Sequence, residues 1–283
     1  MEIAVSSIAY LGKPVEEFVS SCEKNEFVPE FSSGMPYRPD MEEIFLRSPF
    51  KKKYAHNYFP APEFPFVLNL ASADKDIRKK SIEHCIKGMQ LSERADAPFF
   101  SAHAGFCIDP KPDELGQQLT KAKNLDRASH WPIFIDSVWE VLKRTKETGL
   151  SFLVENNVLA KMNLYEDGTN PLLCVESWEM QKFIKDINDQ RAGLLLDTAH
   201  VKVSALTLGF DQKKLFEELA PYVKCVHHSD NEGEFDNNMS ITTDYWFLPL
   251  MDNFKKCLHV VEVKKINETE IERQIELLKN TAK

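Results

Sequence analysis

Glycine is scarce in this chain of 283 residues, with only 10. That excludes collagen-like repeats and glycine-rich linkers. No apolar run approaches the ~20 residues of a membrane-spanning helix. A basic and then apolar leader is missing too: the chain starts Met1-Glu2-Ile3 and runs at once into an apolar stretch, so a cytoplasmic location is expected. Cys22, Cys85, Cys107, Cys174, Cys225 and Cys257 are scattered and form no C-x-x-C pair. They read as reduced, buried small hydrophobes and not as the disulfide framework of a small secreted domain. Positive charge is in short supply, 35 Lys and Arg against 44 Asp and Glu for a net charge of −9. A chain with this balance lacks the broad positive field behind non-specific nucleic-acid binding, which makes nucleic acid a disfavoured partner. Internal repeats and low-complexity tracts are absent as well.

What is present is alternation. Short, nearly continuous apolar runs trade places with longer amphipathic stretches. Strands are expected at Ile3–Ala9, Phe27–Phe31, Lys53–Asn57, Phe99–His103, Ser151–Asn156, Gly193–Thr198, Val223–His228 and Leu258–Val263. Runs such as Leu194-Leu195-Leu196 suit strands buried on both faces, as in parallel sheets. Helices are expected at Pro14–Cys22, Asp74–Arg94, Ala128–Glu147, Ser177–Asn188, Asp211–Ala220 and Glu268–Asn280. Strand–helix alternation repeated about eight times fits an α/β fold, a single (β/α)8 TIM barrel over residues 1–283. The competing doubly wound sheet normally carries a phosphate loop after its first strand. Here that position reads Ala9-Tyr10-Leu11-Gly12-Lys13-Pro14, with neither G-x-G-x-x-G nor G-K-[ST].

Active sites of such barrels lie at the C-terminal ends of the strands. Four consecutive apolar runs end there in a carboxylate or an imidazole: Glu155, Asp197, His227 and Glu262. Any one of them alone reads equally well as a helix cap. Burying three carboxylates together requires neutralisation by protons or a cation. A single divalent ion held by Glu155, Asp197, His227 and Glu262 answers that requirement. Three oxygens and one nitrogen leave Mn²⁺, Mg²⁺, Co²⁺ and Zn²⁺ open. His56 and His103 also fall at strand ends, where an imidazole can bind substrate oxygens or shuttle a proton. His84 and His130 sit in helical patterns, while His228 and His259 should point to the opposite strand face from the four ligands.

These residues carry a resemblance. His56-Asn57-Tyr58, His103-Ala104-Gly105, Val154-Glu155-Asn156, Leu196-Asp197-Thr198-Ala199-His200, His227-His228-Ser229-Asp230-Asn231 and Val261-Glu262-Val263 occur in this order across nearly the whole chain. The sequence resembles the xylose-isomerase-like superfamily of barrels, which includes sugar isomerases, epimerases, inosose dehydratases and endonuclease IV. The resemblance implies a metal on Glu155, Asp197, His227 and Glu262. It also implies an acid/base pair of Glu155 and Glu262, with His103 and His200 holding sugar hydroxyls. Endonuclease IV binds three zinc ions in the same frame, with further ligands at the positions of His56, His103 and His200 and an Asp-x-His motif. This chain has Asp236-Asn237-Asn238 there, and an amide is a poor zinc ligand beside imidazole. Asn238 is therefore expected to hold a sugar hydroxyl.

The function expected is that of a metal-dependent sugar or sugar phosphate isomerase or epimerase. Its partner would be the small-molecule sugar, bound by His56, His103, His200 and Asn238, with Lys202 and Lys264 adding charge for an anionic group. The alternatives are an endonuclease IV-like zinc phosphodiesterase acting on abasic DNA, a polyol or inosose-type dehydratase, and a non-catalytic sugar-binding barrel. Assembly into a homo-oligomer stays open.

Overall fold

The protein is described by a computed structural model covering residues 1–122 and 125–281; Lys123, Asn124, Ala282 and Lys283 lie outside the described residues. Eight strands follow one another along the chain: β1 (Glu2–Ser6), β2 (Val28–Phe31), β3 (Tyr54–Ala55), β4 (Phe99–His103), β5 (Ser151–Glu155), β6 (Ala192–Asp197), β7 (Val223–His228) and β8 (Leu258–Val261). They form one sheet in the order β3-β2-β1-β8-β7-β6-β5-β4, and every pairing is parallel. The two ends of that order meet through a parallel bridge between His56 and Ser101, where Asn57 N–H donates to the Ser101 carbonyl at 2.6 Å. The sheet thus curls into a nearly closed barrel with helices between its strands, a (β/α)8 TIM barrel.

Side-chain alternation along the strands builds the site. Ala4, Tyr54, Phe99, Leu153, Leu195, Cys225, Leu258 and Val260 form one apolar cluster, with Val28 packed against it. These side chains point into the barrel and plug it. In a strand the next side chain on the same face lies two residues on. Two steps beyond the plug stand Glu30, His56, Ser101, Glu155, Asp197, His227 and Glu262, all buried. The intervening residues, among them Val5, Phe100, Phe152, Val154, Leu194, Leu196, Val226 and Val261, face outward into the larger core under the helices.

The helix Lys75–Arg94 starts at Asp74, whose carboxylate accepts from the N–H groups of Asp76 and Ile77, and lays Ile82, Cys85, Ile86 and Met89 into that core. Gly88 is needed for its closeness to the sheet: a Cβ there would stand 2.4 Å from the Phe100 ring. None of the described helices is long and apolar enough to cross a membrane.

Some expected boundaries shift. The first strand stops at Ser6, and Ser7–Tyr10 winds into a 3₁₀ turn. The third shrinks to Tyr54–Ala55. Three helices fall outside the expected ranges, Met41–Arg47, Thr198–Leu208 and the short Met251–Phe254. The second hides its period because Thr198, Ala199, His200, Val201, Val203, Ser204 and Ala205 are all buried, leaving no polar stripe to read.

Candidate metal centre

Glu155, Asp197, His227 and Glu262 come together on the barrel floor, and the atoms each can offer a metal lie within 4.8 Å of one another. Two further groups of three adjoin it at the same spacing, His56, His103 and Glu155, and Glu30, His56 and His227.

Asp197 divides its carboxylate between two tasks. Oδ1 accepts from the backbone N–H of His200 at 2.7 Å and caps the helix Thr198–Leu208. Oδ2 is buried with no hydrogen-bond partner. Asn156 braces the strand end by accepting from the Asp197 N–H at 2.7 Å. At Glu155, Oε2 lies 3.2 Å from His56 Nε2 and 3.3 Å from His103 Nδ1, yet it lacks the alignment of a hydrogen bond. His227 stands between two carboxylates, with Nδ1 3.1 Å from Glu262 Oε2 and Nε2 3.0 Å from Glu30 Oε2. Unpartnered buried oxygens on Glu155, Asp197 and Glu30 are what a cation would satisfy, and the oxygen-rich set with one imidazole suits a divalent ion.

The charges answer one another. Burial pushes the Asp197 carboxyl well above its usual range. Burial also disfavours the charged form of Glu155, but the His103, His56 and His200 rings outweigh it and hold that carboxyl below its usual range. At Glu262 the nearby His227 overcomes burial and brings the carboxyl to about 2. His227 is held well above the ordinary imidazole range because Glu30 and Glu262 outweigh its burial. His200 is raised likewise, with Asp197 and Asp236 outweighing burial. His103 goes the other way, as burial pushes it down to about 4.

A cavity of about 700 Å³ opens above this floor, with His103, His200 and Asp236 on its wall. His200 Nε2 lies 3.2 Å from Asp236 Oδ2, while its Nδ1 is within hydrogen-bond distance, 2.8 Å, of the Asn156 carbonyl. His56 is deeper, with Nδ1 2.8 Å from Ser101 Oγ. Asn238 is buried behind the wall, its Nδ2 3.5 Å from Ser229 Oγ. Neither Lys202 nor Lys264 is among the residues lining the cavity. Lys202 is paired with Asp230 at 2.6 Å beside a separate, open depression, and Lys264 is exposed. Among the described residues no Lys or Arg lines the main cavity.

Glu30 and Asp236 join the constellation without having been singled out as site residues in the sequence. Glu30 sits one residue before the strand end in Val28-Pro29-Glu30-Phe31, so a search of the residue after each apolar run passes over it. The alternation from Val28 was the signal that could have found it.

A model of the xylose isomerase-like TIM barrel family matches residues 42–281. Two curated relatives are both named "Probable endonuclease 4". The one from Sulfurihydrogenibium sp. (strain YO3AOP1) is 23% identical over 243 residues, covering 77% of this chain and 78% of the relative. The one from Persephonella marina (strain DSM 14350 / EX-H1) is 22% identical over 179 residues, covering 61% of this chain and 54% of the relative, so the match spans about half of that protein. In fold, the chain is similar to a D-tagatose 3-epimerase-like protein, with a TM-score of 0.76, 17% identity, and 99% and 97% of the two chains covered. It is also similar to D-psicose 3-epimerase from Clostridium cellulolyticum H10, with a TM-score of 0.68, 15% identity, and 100% and 98% covered. A family match over most of the chain, on a barrel of this topology, means that the protein belongs to the xylose isomerase-like TIM barrel family.

Proposed function

We propose that the protein is a divalent-metal-dependent sugar isomerase or epimerase, with Glu155, Asp197, His227 and Glu262 holding one ion. The observation that carries this reading is the four-residue cluster, within 4.8 Å, joined through His103 and His200 to a cavity that no Lys or Arg lines among the described residues. A bound ion would supply Lewis acidity, stabilising negative charge on substrate oxygens as a neighbouring C–H loses its proton. The remaining work falls to the chain. Glu155 and Glu262 are both held in the carboxylate form at neutral pH, so each can accept a proton from carbon. They stand at the ends of strands three places apart in the ring, which allows one to take a proton and the other to return one. His103, uncharged at neutral pH, and His200, tied to Asp236, are placed to hold sugar hydroxyls.

A second reading has its own observation. The adjoining group of His56, His103 and Glu155 could hold a second ion, and the curated relatives carry an endonuclease name. Phosphodiester backbones are gripped by Lys, Arg and backbone N–H groups. The absence of Lys and Arg from the described lining residues and the net charge of −9 therefore favour a neutral sugar. The deciding experiment offers metal-loaded protein a panel of ketoses, aldoses and glycosides of keto sugars in D₂O, and abasic DNA in parallel. Exchange of a sugar C–H without DNA nicking is expected; nicking without exchange would reverse the assignment.

A further inference from the structure

Resting on the isomerase reading, we infer that the ligand of this site is an uncharged sugar bearing an apolar or aromatic substituent, such as an aryl glycoside of a keto sugar, and not a free monosaccharide or a sugar phosphate. The cavity of about 700 Å³ lies within the ~300–1,000 Å³ range of pockets that enclose drug-sized ligands. A hexose, with about a dozen heavy atoms, fills only part of such a space. The walls say what fills the rest.

Polar groups that can meet hydroxyls gather where His103, His200 and Asp236 approach the metal cluster. Ser33, Asn57, Gln117, Asn157, Asn163 and Asn237 also line the cavity, and another part of its wall is apolar, made by Phe66, Val67, Leu68, Phe106, Leu119 and Leu172. Leu119 and Leu172 belong to a compact apolar cluster with Leu159 and Val175, and Phe106 packs against it. This surface is backed by structure of its own. At the same cavity Leu115 and Phe235 remain 48% and 46% exposed, and large apolar groups gathered open around a cavity mark area meant to be covered. A sugar hydroxyl laid on that wall would lose its water partners without replacement. A phosphate would find no Lys or Arg among the described lining residues. An apolar substituent meets neither penalty.

The chemistry remains balanced with such a ligand. A glycosidic bond keeps the anomeric carbon as an acetal, so the carbonyl must be a ketone elsewhere on the ring. One carboxylate removes the proton from the carbon beside that ketone, and a proton returns to the opposite face. Nothing is oxidised, and the substituent stays attached.

Calorimetric titration of the full chain compares D-glucose with phenyl β-D-glucopyranoside, and D-galactose with its phenyl glycoside, without requiring turnover. At least one phenyl glycoside should bind tenfold or more tightly than its free sugar. Phe106→Ser and Leu119→Ser should each shrink that ratio severalfold, and a ratio is insensitive to a loss of folded protein. Equal affinities, a preference for the free sugar, or no binding of either phenyl glycoside at millimolar concentration would overturn the inference. A clear phenyl preference in protein that exchanges no sugar C–H would uphold the ligand class and sink the isomerase reading. Exchange of free ketoses without any phenyl preference would do the reverse.

Discussion

His227 and His228 are neighbours on β7, equally buried, and they lead opposite lives. His227 points into the barrel between Glu30 and Glu262, which hold its ring well above the ordinary range against the cost of burial. His228 points out under the helices, where burial and the nearby His259 and His227 hold its ring well below that range. Its Nε2 lies 2.8 Å from His259 Nδ1, and its Nδ1 lies 3.2 Å from the Tyr245 hydroxyl. His259 Nε2 in turn lies 3.0 Å from the Phe254 carbonyl. One proton per ring satisfies the run from His228 Nε2 to Phe254, with His259 Nε2–H donating to the Phe254 carbonyl and His228 Nε2–H donating to His259 Nδ1, while the Tyr245 hydroxyl donates to Thr198. The strand's two-residue period alone separates the ring that can bind a metal from the ring that holds the wall. Residue type at a strand end says little until its face is known.

The sharpest way to break this comparison is to remove the groups of the inner face. Glu155→Gln and Glu262→Gln should each lower C–H exchange by ~10²–10⁴-fold, the usual weight of a positioned acid or base, and circular dichroism should show the barrel intact. Next come the rings themselves. His227→Asn should strip the metal. His228→Asn should keep it but cost about 1–3 kcal/mol of stability, because it leaves His259 without its buried partner. Denaturant unfolding beside a metal assay separates the two, and a loss of metal in both variants would erase the distinction. Glu30→Gln should weaken metal binding by ~10–100-fold, as expected when a carboxylate that orients a ligating imidazole is lost; a metal titration reads this directly.

Acid should also weaken the packing outside the barrel interior. Burial lowers both His84 and His259 to about 4 from an ordinary 6.5. The unfolded chain therefore binds more protons than the folded one between those values. The stabilisation is fully present above about pH 6.5 and drains away as pH falls toward 4, by about 1.4 kcal/mol per pH unit for each ring. His84→Phe, in protein followed by urea melts at both ends of that window, should flatten the slope by one ring's share. The smallest effect belongs to Lys202→Ala. Its pair with Asp230 is partly exposed and stands away from the main cavity, so stability should change by less than about 1 kcal/mol. A large loss of turnover in that variant would return a charged group to the substrate.

The parts legible in the sequence are those governed by one periodic rule. An apolar run that buries both faces of a strand ends where water or ligand begins, so Glu155, Asp197 and His227 could be read from the change in character after Val154, Leu196 and Val226. The third strand was hard to bound because only Tyr54 and Ala55 pair regularly, and His56 closes the barrel through a single bridge. Glu30 hid inside its strand, and the helix Thr198–Leu208 hid because nearly all of its first turns are buried. The directions of Lys264 and Asn238 follow loop geometry, and Lys202 lies on the helix Thr198–Leu208, from which it reaches Asp230. Asn238, for instance, has φ +46° and turns its amide toward Ser229, which no sequence period encodes.

The central claim is that one ion sits on Glu155, Asp197, His227 and Glu262. Elemental analysis of purified wild-type protein and of Asp197→Ala tests it most directly. About one divalent ion per chain is expected in the wild type, and almost none in a variant that remains folded. A variant that keeps its full metal content, or a wild type carrying three zinc ions, would contradict it.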